Sequence, residues 1–289
     1  MAGGGSMQDI KRRVKSVTSI EHITNAMKLV SAAKLRKAKD IFDNTQEFFH
    51  YVTESIEEIF NNTNDVPTKY LGGDREIVNS CYVIVTSNKG LAGSFNANII
   101  RKAEEEILSD SEPPHIIAIG SKGRDYFQKK GYTIATEYLL PPENISFVET
   151  KKISKPIIEL YDNGEIDEVI LIYTSFISPL EQRVKTITLL PFDIEHSPDA
   201  VRNEKQVEYD PSPAEVFNYL VPKYVEIMIY GAVVESATCE HAARRMAMEN
   251  ATENAQNMID DLSLTYNRAR QAAITSEITE IIGGSETMA

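Results

Sequence analysis

The placement of helix-breaking residues limits this chain more than any other feature. All twelve prolines fall between Pro67 and Pro222. From Gln8 to Val66 there are 59 residues without proline or glycine, and from Lys223 to Ile282 there are 60 with a single glycine, Gly231. Breakers punctuate loops and end helices, so the chain divides into a helix, a mixed middle and a second helix. At roughly 1.5 Å per residue, either terminal run as one helix would reach about 75–90 Å. A small globule has no room for that, and uncapped helices of such length mean a coiled coil, a membrane span or a helical repeat. No stretch approaches the ~18 apolar residues that a span needs, and no repeat is visible. Two helices from opposite ends of the chain most simply pair as an antiparallel coiled coil. An ordinary bundle with two long members is the competing architecture.

Apolar spacing supports the pairing with interruptions. Ile10, Val14 and Val17 begin a heptad-like stripe, Ile20, Ile23, Met27 and Val30 continue it after a phase slip, and Leu35, Ala38, Phe42 and Phe49 resume it. Such slips locally alter a supercoil. The second run offers Tyr224, Ile227, Val234, Ala237, His241, Met248, Ala251, Ala255, Met258, Leu262, Ala269 and Ala272. Its many alanines favour helix and allow close approach.

The middle segment alternates two patterns. Val83–Val85, His115–Ile119 and Val169–Tyr173 are short apolar runs of the kind found in buried parallel strands. Residues 96–108, 123–130 and 147–160 read as helices, and 183–190 as a further strand. That alternation predicts a parallel, Rossmann-like α/β layer. The expected organisation is a leader or expression scar at 1–6, a helix at 7–66, an α/β domain at 77–210, a second helix at 211–283 and a tail at 284–289.

An α/β layer invites a nucleotide-binding reading, so the loops after its strands matter. Thr86–Asn96 (TSNKGLAGSFN) and Gly120–Arg124 (GSKGR) are glycine-bearing, yet neither matches GxGxxG or GxxxxGK[ST]. Tight turns at strand ends account for the same glycines. HExxH, CxxC, GxSxG and EF-hand patterns are also missing. Cys81 and Cys239 are the only cysteines, which leaves no disulfide framework or cysteine-based zinc site. The residues assemble no nucleophile, base and electrophile, so the expectation is a chain that is not an enzyme by itself, in reducing, cytoplasmic surroundings.

Charge points outward. Met7–Lys39 holds nine basic residues against Asp9 and Glu21, while Asp40–Val66 holds seven acids and no Lys or Arg. A helix dipole favours the opposite order, so the distribution serves a partner or a solvated face rather than the helix itself. The formal net charge of -13 argues against a generic polyanion binder. After Arg270 no Lys or Arg follows, and Ile274, Ile278, Ile281 and Ile282 recur at helical spacing. An apolar helical end of this kind calls for a socket in another protein.

Specific motifs narrow the field. Ile10-Lys-Arg-Arg-Val-Lys-Ser-Val, with Ile23-Thr-Asn-Ala-Met-Lys-Leu-Val-Ser-Ala-Ala-Lys-Leu-Arg after it, resembles the N-terminal helix of the gamma subunits of F-type ATP synthases. Glu240-His-Ala-Ala-Arg-Arg-Met-Ala-Met-Glu-Asn-Ala and Tyr266-Asn-Arg-Ala-Arg-Gln-Ala-Ala-Ile-Thr-Ser-Glu-Ile resemble that family's C-terminal helix. Thr86–Asn96 is similar to its strand-end loop, with Ala92 where many members have cysteine. The likeness runs along the whole chain in order.

The resemblance implies a central rotor stalk, one copy per complex. Partners would be three alpha and three beta subunits, an epsilon subunit and the membrane c-ring, with no nucleic acid. It implies no cofactor on this chain, ATP, ADP and Mg being held by alpha and beta, and a peripheral position on the cytoplasmic face of a bacterial plasma membrane. Met27 matches a coupling-sensitive position near the beta levers. Arg270 and Gln271 match the pair that engages a beta catch loop, and Tyr209 falls in the foot near the c-ring. Without a second cysteine near the first, thiol switching is not expected. Two other readings stay open on the residues alone: a nucleic-acid-binding coiled coil using Lys11–Lys39, and a nucleotide-dependent enzyme built on the α/β domain.

Overall fold

The computed structural model describes residues 7–62, 67–72, 77–110, 112–139, 146–192 and 212–286. Helix α1 spans Met7–Asn62 and helix α5 spans Pro213–Glu286. Between them lie β1 (Ser80–Val85), α2 (Phe95–Ile107), β2 (His115–Ile119), α3 (Ser121–Lys129), β3 (Ile134–Tyr138), α4 (Phe147–Asp162), β4 (Glu168–Phe176) and β5 (Gln182–Leu190). Two compact units result: residues 1–31 with 245–289, and residues 32–244. The division falls inside both long helices, so the second unit includes a length of each.

The sheet runs β3-β2-β1-β4-β5, parallel except for the antiparallel edge strand β5. Odd and even positions of its strands serve different cores. Cys81, Val83, Val85, Val169 and Leu171 pack with Ile153, Ile157 and Tyr161 of α4 and with Phe217, Val225 and Val233 of α5. Tyr82, Ile84, Ile116 and Ile172 pack with Phe95, Ile99, Ala103 and Ile107 of α2 and Phe127 of α3. Cover on both faces explains why β1 reads as a continuous run without polar alternation. The four-residue spacing along α2 puts one stripe on the sheet. Each fully buried isoleucine there contributes about 1.5–3 kcal/mol in transfer from water.

Two helices open on the same local device. Ser146 Oγ accepts from Glu149 N at 3.3 Å, and Ser212 Oγ accepts from Glu215 N at 3.3 Å. Both are Ser-x-x-Glu starts, with a carboxylate placed at the positive end of the helix dipole. In the second, Pro213 takes the first helical position, where its missing N–H costs no bond.

The expected antiparallel pairing is present in each unit. In the first, Thr252 Oγ1 donates to Thr24 Oγ1 at 2.8 Å, while Lys11 and Val14 share a cleft with Ser263, Tyr266 and Asn267. In the second, Phe49 packs on Tyr230 and lies against Gly231, and Thr53 meets the Met228 sulfur. Positions rising along α1 thus meet positions falling along α5.

The phase slip is not there. The inward line of α1 is an unbroken 3-4 series, 10, 14, 17, 21, 24, 28, 31, 35, 38, 42, and every member is buried or half-buried. Between Val17 and Leu35 that line passes through Glu21, Thr24, Lys28 and Ser31. Ile20, Ile23 and Val30, expected in the seam, are 50%, 61% and 57% exposed instead. Hydrophobicity alone misplaced the stripe because this stretch of the seam is polar. On α5 the line runs Met248, Thr252, Ala255, Ile259, Leu262, Tyr266 and Ala269, leaving Met258 and Ala272 exposed. Strand β3 escaped the sequence reading too, since only alternate residues of this short edge strand are turned from solvent.

Candidate functional site

In the doubly wound fold, ligands enter where strand order reverses, at the carboxyl ends of the strands. Here that point lies between β1 and β4, and α5 fills it. Ser236 Oγ accepts from Thr174 N at 3.2 Å, and Cys239 Sγ lies 3.5 Å from the Thr174 carbonyl oxygen. Arg244 donates from Nη2 to Lys89 O at 3.1 Å and from Nε to Gly90 O at 3.3 Å. Its Nη2 also bonds Glu240 Oε1 at 2.6 Å. Glu240, His241 and Arg244 are all buried. The loop after β1 therefore spends its carbonyl oxygens on a guanidinium from the same chain.

The glycines near this loop have packing duties. Thr86 Oγ1 accepts from Gly123 N at 2.9 Å and donates to Ile119 O at 3.1 Å. A Cβ on Gly120 would lie 2.2 Å from Thr86 O, and one on Gly123 3.0 Å from Thr86 Oγ1. Ser87 N, which could have faced an anion, donates to Asn96 Oδ1 at 3.0 Å. The glycines bring β1 and β2 together at their ends, as the turn reading expects, and a phosphate cradle is not needed to explain them.

Both thiols are interior. Burial pushes the Cys81 thiol up to about 12, and burial with the nearby Glu235 carboxylate raises Cys239 as well. Thiolate is the reactive form, so a disulfide-forming probe is expected to find no fast-reacting thiol in the native protein and two after unfolding. These raised thiol values, with the Tyr82 and Tyr173 hydroxyls that burial also raises, have a linked consequence. The folded state holds these protons more tightly than the unfolded chain, so their contribution is complete below the ordinary thiol value of 9.0 and falls as pH rises toward about 12. A melting series across that window is expected to show steadily declining stability. Among the described residues, no three His, Cys, Asp or Glu side chains converge to hold a metal. No described helix is long and apolar enough to cross a membrane.

Exposed surface offers the other candidate. In the first unit, Ile20, Ile23, Met27 and Val30 recur at three- and four-residue spacing and form a stripe beside the seam, with Met27 half-buried and the isoleucines and valine exposed. Past Ala269, α5 is exposed from Arg270 to Ile282. Arg270, Gln271, Ile274, Ile278, Ile281 and Ile282 fall on one side of it by the helical period. The structure thus places Arg270 and Gln271 together at the head of the isoleucine stripe, and Met27 in the separate stripe on α1. Tyr209 lies outside the described residues. Sequence reasoning missed the Glu240–His241–Arg244 cluster as a structural unit. Its signal was a glutamate and an arginine four residues apart in an otherwise alanine-rich stretch.

Terminal helices paired antiparallel, an inserted α/β domain whose crevice is filled from within, and apolar stripes turned outward define a coiled-coil subunit rather than a ligand-cleft protein. A family described as ATP synthase matches residues 6–288. The ATP synthase gamma chain of Alkaliphilus metalliredigens is 44% identical over 289 residues, covering 99% of each chain. A gamma chain of Acetobacterium woodii described as sodium ion specific is 40% identical over 300 residues, covering 98% of this chain and 99% of the other. The chain belongs to the ATP synthase gamma chain family. The same fold occurs in the rotor of the Euglena gracilis mitochondrial ATP synthase, at a TM-score of 0.70 and 19% identity over 94% of this chain and 100% of that one. It occurs also in the central stalk of the Tetrahymena thermophila mitochondrial enzyme, at 0.64 and 24% over 79% and 99%.

Proposed function

We propose that this chain is the central rotor stalk of a bacterial F1Fo ATP synthase, carrying c-ring rotation to the catalytic beta subunits for ATP synthesis and running in reverse during hydrolysis-driven pumping. The observation that carries the reading is the pair of outward apolar stripes on helices that already bury a separate seam against each other. Stripes of that kind need cover from other chains. The partners are three alpha and three beta subunits around the helices, and epsilon and the c-ring at the α/β domain. ATP, ADP and Mg are held by alpha and beta, and this chain itself performs no catalysis. Its place is peripheral, on the cytoplasmic face of the plasma membrane.

Within that assembly Met27 meets the beta levers, Arg270 and Gln271 engage a beta loop, and Tyr209 serves the c-ring end. The direct test mixes the chain with alpha and beta subunits. A complex of three alpha, three beta and one copy of this chain is expected, and failure to enter any such complex would falsify the reading. Arg270→Glu sharpens the test. Reversing a charge at a contact costs affinity there while leaving an exposed helical position stable. Coupled ATP synthesis in membrane vesicles is expected to fall at least about tenfold, the scale of a like-charge clash. The melting temperature of the free chain is expected to stay within about 2 °C, as for surface substitutions. An equal loss in folding would make Arg270 a structural residue. The nucleic-acid reading predicts instead duplex binding that weakens steeply with salt.

A further inference from the structure

Between residues 235 and 244, helix α5 is fastened to the carboxyl edge of the sheet by directional bonds as well as by apolar contact. The Glu235 carboxylate accepts from Ser175 Oγ at 2.7 Å and from Phe176 N at 2.8 Å. Ser236 and Cys239 hold the N–H and the carbonyl of Thr174, and Arg244 holds the carbonyls of Lys89 and Gly90. On the other side, Phe42 of α1 packs edge-on against Phe176 at 6.1 Å, and a Cβ on Gly231 would sit 3.1 Å from the Phe49 ring. The end of β4 is therefore gripped between the two helices. Every one of these residues lies in the same compact unit.

Apolar burial is non-directional. A helix held only in that way resists removal from the sheet but can roll about its own axis at small cost. Hydrogen bonds lose strength steeply when misaligned. Glu235, Ser236 and Cys239 leave the helix at different bearings, successive residues being about 100° apart. Pins at several bearings block roll where a greasy face does not. Glu235 makes the shortest of these bonds to the strand and holds two donors on one oxygen.

We propose that residues 235–244 form a torque joint between α5 and the α/β domain, with Glu235 as its positioning residue. The proposal rests on the rotor reading and names the place where turning force passes between sheet and helix. It acts on stiffness, because the Glu235 carboxylate is taken up by Ser175 and Phe176 at the end of β4.

The test uses the whole assembled complex, fixed through its beta subunits. A bead is attached to the α/β domain through Leu108→Cys, a site 72% exposed, while the native thiols are buried. The angular variance of the bead is recorded during pauses at low ATP. Glu235→Leu is expected to raise the variance at least about twofold, because the directional restraint is removed while the apolar contact stays. Glu235→Gln retains an acceptor oxygen and is expected to restore the wild-type variance. Ser236→Ala, which loses one bond, is expected to give a smaller rise and serves should Glu235→Leu not assemble. Unchanged variance in Glu235→Leu, or in Ser236→Ala where the former does not assemble, overturns the joint. So does a Glu235→Gln complex as loose as Glu235→Leu. A wild-type complex whose bead never rotates overturns the rotor reading instead, and the two failures are told apart by that control.

Discussion

Gly120→Ala is expected to be the most damaging single-methyl change in the α/β domain. Gly120 has φ 97 and ψ 142, a region that side chains avoid. Occupying it costs of the order of 1–3 kcal/mol. The new Cβ would also stand 2.2 Å from Thr86 O and 2.6 Å from Thr86 C, both of them backbone atoms that cannot swing away. Relief requires moving the end of β1 from the end of β2, where Thr86 N donates to Ile119 O at 2.7 Å. Overpacking of this kind adds about 1–3 kcal/mol or more. Gly131→Ala is the matched control, because its φ of 92 is similar and a Cβ there would meet nothing within 4 Å. Denaturant midpoints of the two variants separate the packing cost from the backbone cost. Equal losses would show that close approach to Thr86 has no weight.

The second large effect is expected at Arg244. Arg244→Met leaves the Glu240 carboxylate, 4% exposed, without its 2.6 Å partner and takes the donors from two loop carbonyls. Breaking one side of a buried ion pair typically costs about 3–5 kcal/mol. The companion change reverses the sign of the argument. Glu240→Leu with Arg244→Met removes both charges, and replacing a buried pair by apolar groups is often close to neutral. The double variant is therefore expected to be more stable than the Arg244→Met single. A double-mutant cycle by chemical unfolding measures this directly, and additive losses would mean that the two groups do not depend on each other.

The sequence made the coarse architecture legible for a physical reason. Proline and glycine act locally, so their absence from two long runs announced the helices without knowledge of tertiary contacts. Buried parallel strands were equally plain, since Val83–Val85 and Val169–Tyr173 must be apolar on both faces. The seam of α1 was harder. Its register depends on which residues a second helix covers, and Glu21, Thr24, Lys28 and Ser31 give no hydrophobic signal while the exposed Ile20, Ile23 and Val30 give a false one. Strand β3 lies at the sheet edge with polar alternate residues, which also reads as loop. The filled crevice was invisible for another reason. Arg244 and Lys89 are 155 positions apart, and neither pattern nor propensity brings them together. Motif likeness, by contrast, singled out Arg270 and Gln271, which stand exposed at the head of the isoleucine stripe and whose contact with a partner is a proposal.

Those outward stripes have a consequence for a copy made in excess. Ile20, Ile23, Val30, Ile274, Ile278, Ile281 and Ile282 remain open to water when the chain is alone. Water-exposed aliphatic surface of that extent promotes self-association. Chaperones and proteases continuously sort chains that expose such surface. On the proposed rotor reading the same side chains are covered once the chain is assembled, so copies made beyond the supply of partners are expected to aggregate or be degraded.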